Sequence, residues 1–340
     1  MSSTRPAARR RAATATAAAL LLPLAGCGGE AAGDAAISVE NCGATVELDA
    51  APERVVMLKS AAVPTLHRLD VLDRVVARAG VYPDEYYDDE TLAALDEVPL
   101  LTDRTDASGH LQISREEVVA ETPDLVLGET ENLTRETLAS SGIELVEEPA
   151  FCGSLEGDAS FEDLYDQVRL YGEVFERPDE ADAYVGELQD RVAQIEARVP
   201  ADEDRTVAVL YPTVGGGVTY AYGRGSMSAP LVEAAGLENV FGDVADRVFE
   251  VSAEELVERD PDVVVVLHSD GDPAEVVDAV ADLPGAGALR ALESGAVLPL
   301  LLNFAEPPTP LAVDGLDRLV AFLAANPVQD PAQAPAGSAP

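Results

Sequence analysis

Ile113-Ser114-Arg115-Glu116-Glu117-Val118-Val119 runs into Pro123-Asp124-Leu125-Val126-Leu127. The pattern returns as Val251-Ser252-Ala253-Glu254-Glu255-Leu256-Val257, running into Pro261-Asp262-Val263-Val264-Val265 with the same internal spacing. Each copy reads mechanically. The serine caps a short helix, and acids in its first turn favour the positive end of the helix dipole. Pro-Asp then stops the helix and opens a strand. Leu125–Leu127 and Val263–Leu267 are unbroken apolar runs, as parallel strands covered on both faces require.

Outward from the repeat, Arg54-Val55-Val56-Met57-Leu58 opens the first unit, and Arg205-Thr206-Val207-Ala208-Val209-Leu210 opens the second. Each leads through a loop and helix to a small turn, Leu72-Asp73-Arg74-Val75-Val76 or Gly236-Leu237-Glu238-Asn239-Val240. Two α/β units of about 120 residues suit two domains better than one large sheet. Between them, Phe161, Leu164, Val168, Tyr171, Val174 and Phe175 recur at helical spacing. A second helix is predicted from Asp179 to Val199, spanning about 30 Å, a stiff link that permits rocking rather than wide closure. A last helix is predicted over Asp314 to Ala324. The expected fold is α/β, with two Rossmann-like lobes of parallel sheet joined by one long α-helix and a ligand cleft between them. The expected boundaries are 38–177 for the N-terminal lobe, 178–200 for the spine and 201–326 for the C-terminal lobe. Residues 327–340, rich in Pro, Ala, Gln and Gly, read as a disordered tail.

The N-terminus speaks for the compartment. Arg5, Arg9, Arg10 and Arg11 precede Ala12 to Leu24, an uncharged stretch too short to span a bilayer, which is a secretory signal pattern over residues 1–26. Leu24-Ala25-Gly26-Cys27 resembles the lipobox of bacterial lipoproteins, which implies cleavage before Cys27 and lipidation of its sulfur. An ordinary signal peptide with an accidental cysteine is the alternative. Residues 27–37 then form a flexible tether. The expected location is exported, held at the outer face of the cytoplasmic membrane through the N-terminal lipid only. Outside the cytoplasm thiols oxidise, and Cys42 and Cys152 allow one connectivity; two unpaired buried thiols are the alternative. Acids outnumber bases 63 to 22, for a net charge of −41, which repels nucleic acid and anionic headgroups.

Lipobox, two parallel α/β lobes and one spine helix together resemble the ABC-importer binding proteins that serve ferric siderophores, haem and cobalamin. The local signatures are Pro52-Glu53-Arg54-Val55-Val56, Glu116 with Pro123-Asp124, Tyr222-Gly223-Arg224-Gly225-Ser226, Ala235-Gly236-Leu237-Glu238-Asn239-Val240, and Glu254 with Pro261-Asp262. The resemblance covers about Ile37 to Asn326. It implies an acidic residue on each lobe that pairs with arginines of a permease dimer, and the matching positions are Glu116 and Glu254. That acids simply favour first helical turns is the plainer reading, preferred for Glu117 and Glu255.

Ligands of open parallel sheets sit outside the carboxyl ends of the strands. Tyr82, Tyr86 and Tyr87 follow the second strand of the first lobe; Tyr211, Tyr220 and Tyr222 follow the first strand of the second. Tyrosine offers a flat contact with a polar tip. Lys59, Arg104, His110 and Arg224 are cations at loop positions and suggest an anionic ligand such as a ferric chelate, although pairing with the abundant carboxylates serves as well for each alone. Phe304, Glu306 and Met227 complete the expected ligand-binding set. His67, His110 and His268 are scattered, with no HExxH or CxxC, so no metal site, cofactor or catalytic group is expected. Gly225-Ser226-Met227-Ser228 lacks the flanking glycines of a nucleophile elbow. The expectation is a monomeric receptor for a small molecule, a ferric siderophore before cobalamin or haem. A lipid-anchored sensor or enzyme on the same scaffold is the competing class.

Overall fold

The computed structural model describes residues 36–106, 110–153, 157–201 and 203–327. The expected signal peptide, Cys27, most of the expected tether and the tail from residue 328 lie outside the described residues. A hairpin, β1 (Ile37–Asn41) and β2 (Ala44–Leu48), opens the fold. The first lobe is built on β3 (Val55–Met57), β4 (Val75–Ala79), β5 (Leu100–Thr102), β6 (Leu125–Leu127) and β7 (Glu144–Val146). They pair in the order β5-β4-β3-β6-β7, parallel throughout. The second lobe uses β8 (Thr206–Pro212), β9 (Thr219–Tyr222), β10 (Glu238–Asn239), β11 (Val248–Val251), β12 (Val263–His268) and β13 (Val297–Leu301). Its order is β11-β9-β8-β12-β13, with β10 pairing the start of β8.

The second sheet adds an antiparallel flank to the expected parallel arrangement. β10, β8, β12 and β13 are parallel, while β9 runs back along β8 and β11 pairs antiparallel with β9 in turn. The cause is local: Gly215, Gly216 and Gly217 take φ of 85, 96 and 140°, a region that costs glycine little, and this turn sends the chain straight back.

The sequence repeat has a structural cause. Asp124 accepts the backbone N–H of Glu53 at 2.8 Å and of Arg54 at 3.1 Å, just before β3. Asp262 accepts the N–H of Thr206 at 3.0 Å and its hydroxyl at 2.8 Å, at the start of β8. Each Pro-Asp thus anchors the central strand of its own lobe. Ser114 and Ser252 cap the helices Arg115–Ala120 and Ala253–Arg259 as expected.

Central strands bury both faces yet keep the period of two. Val55 and Met57 join the main apolar cluster, and Val56 and Leu58 a smaller one behind the sheet. Val207 and Val209 join the main cluster likewise, against Ala208 and Leu210 on the far face. The main cluster continues through the helices Phe161–Val174, Pro178–Glu196 and Leu311–Ala325, so both lobes and the spine share one core. The spine ends at Glu196 rather than Val199, and the last helix begins at Leu311 rather than Asp314, behind Pro310. Gly315 lets that helix lie directly on the turn before it. A Cβ there would stand 1.8 Å from the Phe304 carbonyl oxygen.

Candidate ligand cleft

The carboxyl ends of β3 and β7 place Lys59 beside Glu147, with Nζ 2.6 Å from Oε2. The same oxygen accepts the Glu129 N–H at 2.7 Å, and Oε1 accepts the Glu148 N–H at 2.6 Å. Asn41, at the end of β1, grips the Glu147 backbone from both sides: its Nδ2 donates to the carbonyl at 2.8 Å and its Oδ1 accepts the N–H at 2.9 Å. Next along the chain, the short helix Pro149–Cys152 presents Phe151, 39 % exposed. A disulfide between Cys42 and Cys152 ties this helix to the β1–β2 turn, as the cysteine count implied.

The second lobe approaches the same ring. Lys59 Nζ lies 4.2 Å from the Phe151 centroid and the Arg247 guanidinium 5.7 Å from it. Arg247 pairs with Glu306 at 2.8 Å, and the Met227 N–H donates to the other carboxylate oxygen at 2.6 Å. Burial pushes the Glu306 carboxyl above its ordinary range, with Arg247 and the amide pulling against it. Beside this site Asn303 joins the lobes. Its Nδ2 donates to Ser60 Oγ and its N–H to Tyr86 Oη, both at 2.9 Å.

The structure gathers some of the expected residues and separates others. Lys59 and Glu306 belong to the charged cluster, Glu306 as the buried partner of a cation rather than a contact at the surface. Tyr86 and Phe304 are buried at the lobe junction, ring centroids 5.1 Å apart, and Tyr222 and Met227 are buried in the second lobe. All four are core residues, packed into the shared apolar cluster. Tyr82 donates to the Met57 carbonyl at 3.0 Å and Tyr87 to the Ser60 carbonyl at 3.2 Å, both half-buried at the end of β3, and burial raises both phenols above their ordinary range. Tyr220 is 36 % exposed opposite Tyr211, whose hydroxyl lies 3.0 Å from Ser269 Oγ.

Arg224 is elsewhere. It pairs with Asp158 at 2.8 Å and lines a depression of about 580 Å³ with Arg259, Asp243 and Thr206, at the opposite end of β8 from the cleft. Arg104 and His110 bond within their own loop, to Thr102 and near Asp106. Among the described residues no group of three or more His, Cys, Asp and Glu could hold a metal ion. Glu116 and Glu254 are exposed, and neither makes an ion pair or side-chain hydrogen bond among the described residues, whereas Glu117 closes a capping box with Ser114 and Glu255 pairs with Arg259 at 3.2 Å. Phe151 and Arg247 were not singled out from sequence. The one signal was a large aromatic beside a cysteine whose partner lies far away in the chain.

A shared apolar core, a single spine helix and a charged aromatic site between two sheet ends define a bilobal solute-binding protein. Residues 55–300 match the family described as periplasmic binding protein, and the chain belongs to that family. It is similar to the crystal structure of an ABC-type Fe3+-hydroxamate transport system from Saccharomonospora viridis, 50 % identical with a TM-score of 0.80 over 84 % of this chain and 98 % of the other. A cobalamin-binding protein of Halobacterium salinarum is 30 % identical over 287 residues, covering 81 % of this chain and 70 % of that protein. A periplasmic haem-binding protein from Roseiflexus shares the fold at 20 % identity and a TM-score of 0.64, over 81 % of this chain and 99 % of that one. The chain is thus an extracytoplasmic binding protein of ABC transport for a small-molecule ligand, and not an enzyme.

Proposed function

We propose that this chain is the lipid-anchored, monomeric receptor of an ABC importer, with lobes 38–177 and 201–326 closing on a ferric-siderophore chelate for delivery to the permease dimer. The observation that carries the reading is the shared ring. Lys59 of one lobe and Arg247 of the other meet on an exposed Phe151. A chelate stacked there and accepting from both cations touches both lobes at once, so its binding energy also holds them together. The 50 % identity to an Fe3+-hydroxamate transport protein supports iron chelate as the cargo. Cobalamin is the second reading, supported by the 30 % identical cobalamin-binding relative. Cys27 is the lipid attachment point, and Glu116 and Glu254 are the permease contacts. Native mass spectrometry of the chain with ferric siderophores, haem and cobalamin is the test. A one-to-one adduct with a ferric chelate alone supports the reading, and an adduct with cobalamin alone replaces it with the second.

A further inference from the structure

This inference rests on the ferric-chelate reading and concerns the charge of the cargo. Cations at a cleft invite the assumption of an anionic ligand, but here each cation is already matched. Lys59 Nζ lies 2.6 Å from Glu147 and Arg247 Nη1 2.8 Å from Glu306, the two carboxylate side chains being 3 % and 1 % exposed. Acids buried to that degree cannot swing into solvent when a ligand arrives. They are also pinned: Glu147 by the amides of Glu129 and Glu148, Glu306 by the amide of Met227. Each acid lies within ion-pair distance of its cation, and removing either acid's charge would leave that cation unpaired. The two pairs around Phe151 therefore sum to zero. What the cations keep is hydrogen-bonding capacity, because an ammonium and a guanidinium have more N–H groups than one carboxylate contact uses. Their side chains stay 28 % and 29 % exposed.

We propose that Glu147 and Glu306 determine the charge specificity of the cleft. By cancelling Lys59 and Arg247 they make it select a chelate of zero or positive net charge, with acceptor oxygens for the two cations and an apolar face for Phe151, and turn away polyanions. The overall charge of −41 acts in the same sense at long range. Ferric trishydroxamates have this chemistry, since each hydroxamate brings one negative charge and three of them neutralise ferric iron. A triscatecholate, with two charges on each ligand, remains a trianion.

The test is calorimetric titration of the full-length chain in detergent with a neutral ferric trishydroxamate and with a ferric triscatecholate. The unaltered protein is expected to prefer the neutral chelate by at least about tenfold. Glu147→Gln and Glu306→Gln each shift the ratio of the two affinities toward the trianion by about tenfold, whatever they cost in binding as such, and Lys59→Met shifts that ratio in the opposite direction. Equal or tighter binding of the trianion by the unaltered protein overturns the proposal. So does a parallel loss for both chelates in the glutamine variants, the signature of a merely structural role. If neither ferric chelate binds and cyanocobalamin does, the siderophore reading falls by itself. The charge proposal is then decided on cyanocobalamin against its tricarboxylic acid, and a preference for the acid overturns it.

Discussion

Tyr171 donates its phenolic hydrogen to Glu148 Oε1 at 2.8 Å in the interior of the first lobe. Burial is the main force on this carboxyl and pushes its pKa up to about 7, with Glu147 adding to the rise and Tyr171 and Lys59 opposing it. The folded protein therefore keeps this proton to about pH 7, whereas the unfolded chain releases it near the ordinary value of 4.5. Between those two values unfolding releases a proton, so this contribution to stability is full below 4.5 and is lost as pH rises through 7. The loss amounts to about 3 kcal/mol at most. Glu148→Gln removes the titrating group. Denaturant unfolding at pH 5 and pH 8 is expected to show the variant gaining on the unaltered protein at the higher pH; parallel curves would show that the acid is solvated after all.

Gly315 makes a second prediction because it permits the last helix to lie on Phe304. A Cβ added there meets the Phe304 carbonyl oxygen at 1.8 Å, and a backbone atom cannot swing aside as a side chain can. Gly315→Ala is expected to cost about 3 kcal/mol, the upper end of ordinary overpacking. The segment from Phe304 also carries Glu306, so ligand affinity falls with stability. A melting temperature within a degree of the unaltered protein would show that the helix slides freely.

The bond between Cys42 and Cys152 closes a loop of 110 residues. In the chain-entropy model such a link stabilises by about 4–5 kcal/mol. It also holds the helix that carries Phe151 beneath the two cations. Replacing both cysteines with serine is expected to lower the denaturation midpoint and weaken chelate binding together. Weakened stability with unchanged affinity would mean that Asn41, through its two hydrogen bonds to Glu147, positions the site unaided.

Sequence made the two-lobed plan legible because the repeated Pro-Asp has one local task. Asp124 and Asp262 each hold the start of a central strand, and such a task leaves the same residues at the same spacing wherever it recurs. Lys59 was legible for a related reason, since it directly follows a strand end. Tyr222, Met227 and Phe304 were expected at the cleft and are core residues instead. Tyr220 and Tyr222 lie two apart on β9 and so on one face of the strand, and that period gave no reason to place one at the surface and the other in the core. Arg247 and Phe151 meet only after both lobes are folded. No sequence window contains that relationship.

The contrast between neighbouring acids in the repeat leads to the last prediction. Glu117 is occupied by its capping box with Ser114, and Glu255 by Arg259. Glu116 and Glu254, one residue earlier in each helix, are exposed and make no such contact among the described residues. An acid at a helix N-terminus without a partner among the described residues is available to one in another protein. On the proposed docking, reversing both charges, Glu116→Arg with Glu254→Arg, would remove two favourable contacts and set like charges against arginines of the permease. Single reversals should lower the affinity for the permease about tenfold to a hundredfold, and the double reversal should abolish it. Fold and chelate affinity should not move, because neither residue supports the cleft. The measurement is stimulation of transporter ATPase activity by the loaded receptor, beside chelate titration of the same variants. Full stimulation by the double variant would return both acids to the role of ordinary first-turn residues.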